Sequence, residues 1–292
     1  MVFSQLLVNG LIAGSIYALI ASGFSLIYTT NRFLHFAHGT MAAGGAYLTW
    51  LFFQQLGLNF AVSSLLAIVA TALLGVIVFL VVYKPLKDRG SSSAVLLMAG
   101  LALLILLENL ILLIFGADVK SINFLKVGEG WTVLGANITT LQLTIIGTSV
   151  VLLVLLWLFI NHTRLGKIMR AVADNPELAK ISGINTERIQ IYGFAIGSAL
   201  AGVAGLLIGM EQNLEPTMGT SLIIKGFTGS VIGGVTSLPG SVLGSYLVGL
   251  VENFGVWWLP SGYKDAIAFT LLLVFLLIKP SGILGIKKGL NN

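Results

Sequence analysis

The chain has 292 residues, 57% of them hydrophobic and only 9% charged. Soluble domains carry roughly 25% charged residues, so the composition excludes an ordinary globular enzyme and points to a polytopic membrane protein. The absence of Cys excludes disulfides, thiolate nucleophiles and Cys-ligated metals, and a net charge of +5 without interleaved basic and aromatic residues gives no nucleic-acid signature.

A spanning helix needs about 20 predominantly apolar residues. In chain order the candidates are 6–28, 40–56, 60–83, 94–115, 141–160, 189–210 and 266–278. No basic region or A-x-A site marks a cleaved leader around the first span, so that span is expected to direct insertion itself. The stretch 222–258 is apolar but broken at Gly233-Gly234 and Pro239-Gly240, long enough for two short helices meeting at a turn over 236–240. The fold expected is therefore all-α and polytopic, one transmembrane domain over 1–292. It has about eight hydrophobic helical elements, including a pair of re-entrant half-helices. Non-helical backbone at membrane depth is tolerated only against protein or a water-filled cavity, which makes Gly229, Gly233 and Gly234 candidates for the transport route.

Basic residues set the orientation. Of 16 Lys and Arg, only Lys120, Lys126, Lys225 and Lys264 fall outside the set near Arg32, 84–89, 164–188 and the tail from Lys279. The larger set is expected on the cytoplasmic side, with the loop 116–140 outside. The amino terminus is outside if 40–56 crosses completely. Gly-x-x-x-Gly pairs at Gly10/Gly14, Gly193/Gly197 and Gly205/Gly209 read as close helix packing. The echo of Gly10-x-x-x-Gly14-Ser15 in Gly193-x-x-x-Gly197-Ser198 admits an inverted repeat.

The longest polar interruption with helical pattern is 164–185, RLGKIMRAVADNPELAKISGIN. Asn175 before Pro176 is expected to be extended and to cap a helix of about two turns; Glu177 suits its first turn and Gly183 its left-handed stop. Leu178, Ala179, Ile181 and Ile184 offer an apolar face. Capping alone leaves this helix open to two uses, docking on a protein or lying on anionic membrane lipid.

Glu108 within the fourth span is a functional candidate by its depth, against a plain interhelical hydrogen bond. Glu252-Asn253, followed by Trp257-Trp258, reads as an interface belt. His35 and His38 have no nearby carboxylate or third ligand and read as hydrogen-bonding residues in a loop or at a helix end, with no metal expected. No Ser-His-Asp set, H-E-x-x-H or Walker A loop occurs; the one Gly-Lys, Gly166-Lys167, is followed by Ile168.

The order Glu177, Ala179, Gly183 (E-x-A-x-x-x-G) resembles the cytoplasmic coupling loop of ABC importer permeases, although Leu178 stands where the general motif has a second Ala. The stretch RLGKIMRAVADNPELAKISGIN, with NGLIAGSIYALIASGFSLIY, FLHFAHG at 33–39, GSVIGGVTSLPGSVLGSYLVGLVENF at 229–254 and IKPSGILG, resembles the high-affinity branched-chain amino acid permeases of the LivH type over nearly the whole chain. That resemblance implies the permease subunit of an ATP-driven importer in the inner (cytoplasmic) membrane. It implies a coupling loop over about 161–188 carrying Arg164, Gly166, Arg170, Ala171, Asp174, Asn175, Pro176, Glu177, Ala179 and Gly183. It further implies a second related permease chain or a homodimer, two cytoplasmic ATPase subunits holding ATP and Mg, and an extracytoplasmic solute-binding protein. This chain itself is expected to bind no cofactor. The 33–39 signature adds Phe36, His38 and Gly39 to the candidate route. Branched-chain amino acids are the expected solutes, with urea or short amides the alternative within the family. An ion-coupled secondary transporter or channel using Glu108 is the rival of another class.

Overall fold

The computed structural model describes residues 2–124, 130–133 and 135–285. Lys126 and the tail beyond 285, both used in the charge argument, lie outside the described residues. The chain is almost wholly helical. Its helices are α1 (Val2–Asn31), α2 (His38–Trp50), α3 (Phe60–Val78), α4 (Lys84–Asp88), α5 (Ser93–Phe115), α6 (Thr140–His162), α7 (Arg164–Asp174), α8 (Pro176–Ile181), α9 (Thr186–Glu211), α10 (Met218–Gly233), α11 (Leu238–Gly255) and α12 (Lys264–Ile278). The expected spans are all present, extended by a few residues at their ends. Short π-helical turns continue α2 through Gln55 and α3 through Tyr83.

Six helices, among the described residues, are long and apolar enough to cross a membrane. The exception to the all-α reading is a small antiparallel hairpin, β1 (Trp131–Val133) with β2 (Ala136–Ile138), in the loop before α6. Gln5 Nε2 donates to Asn137 O at 3.2 Å, so the amino end of α1 lies beside this hairpin. At its other end, Arg32 Nη2 donates to Asp174 O at 3.3 Å, which places the close of α1 at the basic loop. α1 thus runs from the hairpin to the basic loop.

Burial divides the helices into a core and a shell. α1 is 89% buried over its apolar window, α12 only 11%. Lipid tails are as apolar as Leu, so helices in a membrane associate through close packing and polar contacts, and the interior selects small residues. The buried helices are accordingly rich in Gly, Ala and Ser, while α3, α5 and α12 carry Leu, Val and Ile outward. A methyl on Gly14 would stand 2.9 Å from Tyr246 Cα, and one on Gly209 3.3 Å from Ala46 Cβ. The Gly-x-x-x-Gly pairs thus serve as packing faces: Gly10/Gly14 against α11, Gly193/Gly197 against α1, Gly205/Gly209 against α2.

The core has inverted two-fold character. α1 and α9 cross antiparallel with reciprocal contact: a methyl on Gly23 would meet Gly197 O at 2.8 Å, and one on Gly197 would meet Gly23 O at 2.9 Å. Each long helix ends in a short turn and restarts as a shorter helix, at His38-Gly39-Thr40 and at Met218-Gly219-Thr220. Gly39 and Gly219 then meet each other; a methyl on Gly219 would lie 2.9 Å from Gly39 O. α2 and α3 pack on α9, as α10 and α11 pack on α1. Gly39 and Gly219 stand 180 residues apart in the sequence and Gly23 and Gly197 174, so these two contacts do not share one register.

α10 and α11 form an antiparallel pair joined at 234–237, where Gly234 sits at φ +107°. The turn lies two residues earlier than expected, because Ser237 caps α11 and draws Gly240 into its first turn (Gly240 N to Ser237 Oγ, 3.2 Å). Strand-like bonds from the segment after α12, Ile283 N to Ile232 O at 2.8 Å and Leu284 N to Gly233 O at 2.9 Å, close the end of α10.

Candidate coupling surface and transport route

The basic loop is built from local signals. Thr163 serves two helices at once: its Oγ1 donates to Phe159 O at 2.7 Å and accepts from Gly166 N at 3.0 Å, ending α6 and starting α7. Gly166 is buried flat against that corner, since a methyl there would stand 2.6 Å from Ile160 Cα. α7 buries Met169 and Val172 and leaves Arg164, Arg170, Ala171 and Asp174 exposed. This 11-residue helix belongs to the loop as much as the predicted one, and its separation by Thr163 was not read from the sequence.

Asn175 is extended, at φ −146° and ψ 101°, and its Oδ1 accepts from Glu177 N at 3.1 Å and Leu178 N at 3.0 Å. Pro176 occupies the first helical position, where its missing N–H costs nothing. The far end is a Schellman stop: Ile184 N donates to Ala179 O at 3.0 Å, Gly183 N to Lys180 O at 3.1 Å, and Gly183 takes φ +82°. Ala179 is buried and Glu177 exposed. Ile181 is 84% exposed and Leu178 59%, on a helix held rigid at both ends. The apolar face is therefore narrower than expected, consisting of Leu178 and Ile181. Two ties fix the loop to the membrane helices: Arg32 on the last carbonyl of α7, and an exposed Lys84–Glu187 ion pair between the starts of α4 and α9.

The 33–39 segment lies inside the helix bundle. His35 Nδ1 and Tyr83 Oη are 2.8 Å apart, and His38 Nε2 donates to Ile20 O at 3.2 Å. Both rings are fully buried, as hydrogen-bonding residues in a turn and at a helix start. Phe36 packs its ring 5.1 Å from that of Phe227, and Gly39 packs on Gly219. Glu108 Oε2 accepts from Thr220 Oγ1 at 2.7 Å, one residue from that glycine contact, so its depth has a local account. Gly39 and Glu108 thus meet the start of α10 at Gly219 and Thr220, whereas Phe36 meets Phe227 further along it and His38 faces α1 at Ile20. Gly229, Gly233 and Gly234 lie elsewhere, along the α10–α11 contact and its turn.

Of the cavities among the described residues, two lie at opposite ends of the bundle, named inner for the end at the basic loop and outer for the end at the hairpin. An inner one of about 630 Å³ is lined by Thr30 of α1, Asn161 of α6, Lys167 and Arg170 of α7, and the 236–239 turn. An outer one of about 380 Å³ lies among α1, α6 and α9–α12, with Lys225, Lys264 and Glu211 in its wall. Behind it, Tyr17 Oη donates to Glu252 Oε2 at 2.9 Å, Lys225 Nζ pairs with Asp265 Oδ1 at 3.0 Å, and Lys264 Nζ donates to Asn253 Oδ1 at 3.2 Å. This corrects the reading of Glu252 as a belt residue: it is fully buried and bonded across to α1. The sequence carried one signal for this cluster, ionisable residues recurring within apolar helices, but the partners come from helices far apart in the chain.

Comparison with known proteins bears on all of these elements. Residues 6–276 match the family described as branched-chain amino acid transport system / permease component. The high-affinity branched-chain amino acid transport system permease protein BraD of Pseudomonas aeruginosa is 36% identical over 97% of this chain and 96% of its own. LivH of Escherichia coli K12, described in the same terms, is 33% identical over 97% and 96%. The solved structure of PsaBC from Streptococcus pneumoniae in complex with Fab shares the fold, with a TM-score of 0.53 at 16% identity over 94% of this chain and 91% of that one. The chain belongs to the family of branched-chain amino acid transport permeases.

Proposed function

We propose that this permease subunit passes branched-chain amino acids, delivered by an extracytoplasmic binding protein, across the cytoplasmic membrane. In this reading two ATPase subunits, which hold ATP and Mg, dock at 175–183, and a second related permease chain or a second copy completes the route. α10 and α11 are not among the six described helices that are long and apolar enough to cross a membrane. We take them as a re-entrant pair closing the inner end of the route at the 234–237 turn. Alternating access then opens the outer and inner cavities in turn as the ATPases close.

The observation that carries the coupling is the exposure of Leu178 and Ile181 on a short helix capped at both ends and tied to α1 through Arg32. A helix this short cannot gain stability by displaying two aliphatic side chains to water, but it presents them well to a partner groove. The test is affinity purification of the tagged chain from native membranes in mild detergent. An ATPase is expected to co-purify with the wild type and to be lost with Ile181→Glu and Glu177→Arg, while a control substitution outside the loop, Thr144→Ser on the exposed face of α6, leaves it bound. Retention of the ATPase by both loop variants would overturn docking at this helix.

A further inference from the structure

The outer cavity has an unusual combination of walls for its depth. Its floor is reached at Tyr17 and Lys225, the latter about two turns into α10. Ile12, Ile16 and Ile208 supply apolar lining, and two ammonium groups and one carboxylate, Lys225, Lys264 and Glu211, line it as well. Apolar cavities stay dry, whereas a polar one of this size holds water and exchanges it for a solute with matching groups. Structural ion pairing accounts for only part of this set. Lys225 is committed to Asp265 at 3.0 Å and stands 5.6 Å over the Tyr17 ring. Lys264 has no carboxylate within ion-pair distance among the described residues, only the Asn253 amide at 3.2 Å. Glu211 has no cation within that distance either; its Oε1 accepts from Gln142 Nε2 at 3.0 Å. Charged groups within membrane helices are costly, and an apolar replacement of a purely structural pair is often neutral or stabilising.

We propose that this cavity is a passage subsite for a zwitterionic α-amino acid. Lys264 takes the carboxylate, Glu211 takes the ammonium, and the aliphatic side chain lies against Ile12, Ile16 and Ile208. Tyr17, held by Glu252, and Lys225, held by Asp265, form the fixed floor. A neutral amide such as urea has no use for separated opposite charges, so the site selects within the solutes this family reading allows. The subsite rests on the reading of the chain as an amino acid permease.

The test uses the complete transporter, with its ATPases, partner permease and binding protein, in proteoliposomes. A diazirine analogue of leucine is photolysed during turnover, and adducts are mapped by peptide mass spectrometry while uptake of labelled leucine is followed in parallel. Adducts are expected on the segments holding Ile12, Ile16 or Ile208, with yield per assembled complex falling at least tenfold in Lys264→Gln and restored by Lys264→Arg. Glu211→Gln supplies the same comparison from the ammonium side if Lys264→Gln does not assemble. Leucine uptake with adducts confined to other surfaces, or with equal yield in the Gln variants, overturns the subsite and leaves the transport reading standing. An assembled wild-type complex that hydrolyses ATP but imports no leucine overturns the amino acid reading itself, and the subsite with it.

Discussion

Replacing Gly39 by Ala tests the central crossing of the fold. A methyl built there overlaps the Gly219 carbonyl oxygen and lies 2.6 Å from Ile223 Cβ. Neither neighbour is the free end of a flexible side chain, so relief requires α2 and α10 to separate. Overpacking of this kind costs about 1–3 kcal/mol, and the absence of a soft neighbour puts Gly39 at the upper end. Ala recovers about 1 kcal/mol over Gly in a helix interior, leaving a net loss of about 2 kcal/mol, or roughly 30-fold in the folding equilibrium. Gly44 in the same helix is the control, with nothing within 4 Å of its added methyl. Gly44→Ala should keep the helix gain, so the two variants should differ by about 3 kcal/mol on these principles. Reversible unfolding of the purified chain in mixed micelles reads the difference, and the isolated chain avoids any contact that a partner makes with Gly44. If Gly39→Ala unfolds no more easily than Gly44→Ala, the two-fold crossing does not hold the bundle together in the way argued.

Two further perturbations address the coupling loop. Asn175→Ala removes an acceptor shared by two amides and should cost about 1 kcal/mol of local stability; hydrogen exchange at Glu177 and Leu178 should accelerate several-fold, with Asn175→Asp close to wild type. The Lys84–Glu187 pair, with side chains 36% and 48% exposed, should show a coupling of at most about 1 kcal/mol in a double-mutant cycle and less at high salt. A coupling well above that figure would mean that a partner or lipid buries the pair in the assembled state.

What the sequence made legible was local or long. Asn175-Pro176 and Gly183 dictate their own backbone, so the capped helix could be read residue by residue. Runs of apolar residues gave the spans to within a few positions. The break at 32–37 fell in the gap left between the spans 6–28 and 40–56, but its burial, with Phe33 and His35 inside the bundle, carried no local signal. Thr163 hid the start of α7 by capping two helices without interrupting the polar pattern. Glu252 was misjudged because its partner Tyr17 is on the first helix and the neighbouring Trp pair suggested a surface. Gly spacing sets no register when 35 glycines offer so many matches, and the Gly39–Gly219 contact is made by the fold and carried by no local pattern.

Where α1, α2, α9 and α10 cross, backbone lies against backbone. Charged groups line both cavities, opposite charges in the outer one and Lys167 with Arg170 in the inner one, while Glu108 stands on Thr220 beside the Gly39–Gly219 contact. Under the proposed mechanism this arrangement separates holding from gating. A solute with two charges rests where opposite charges line a cavity, while the glycine crossings, having no interlocking side chains to unseat, are where one half can shift against the other. Arg32 joins the 164–185 loop to α1, the helix that contacts α9, α10 and α11 together. Under the proposed docking, a displacement of the loop is thus delivered to a helix that lines both cavities, as α6 and α11 also do.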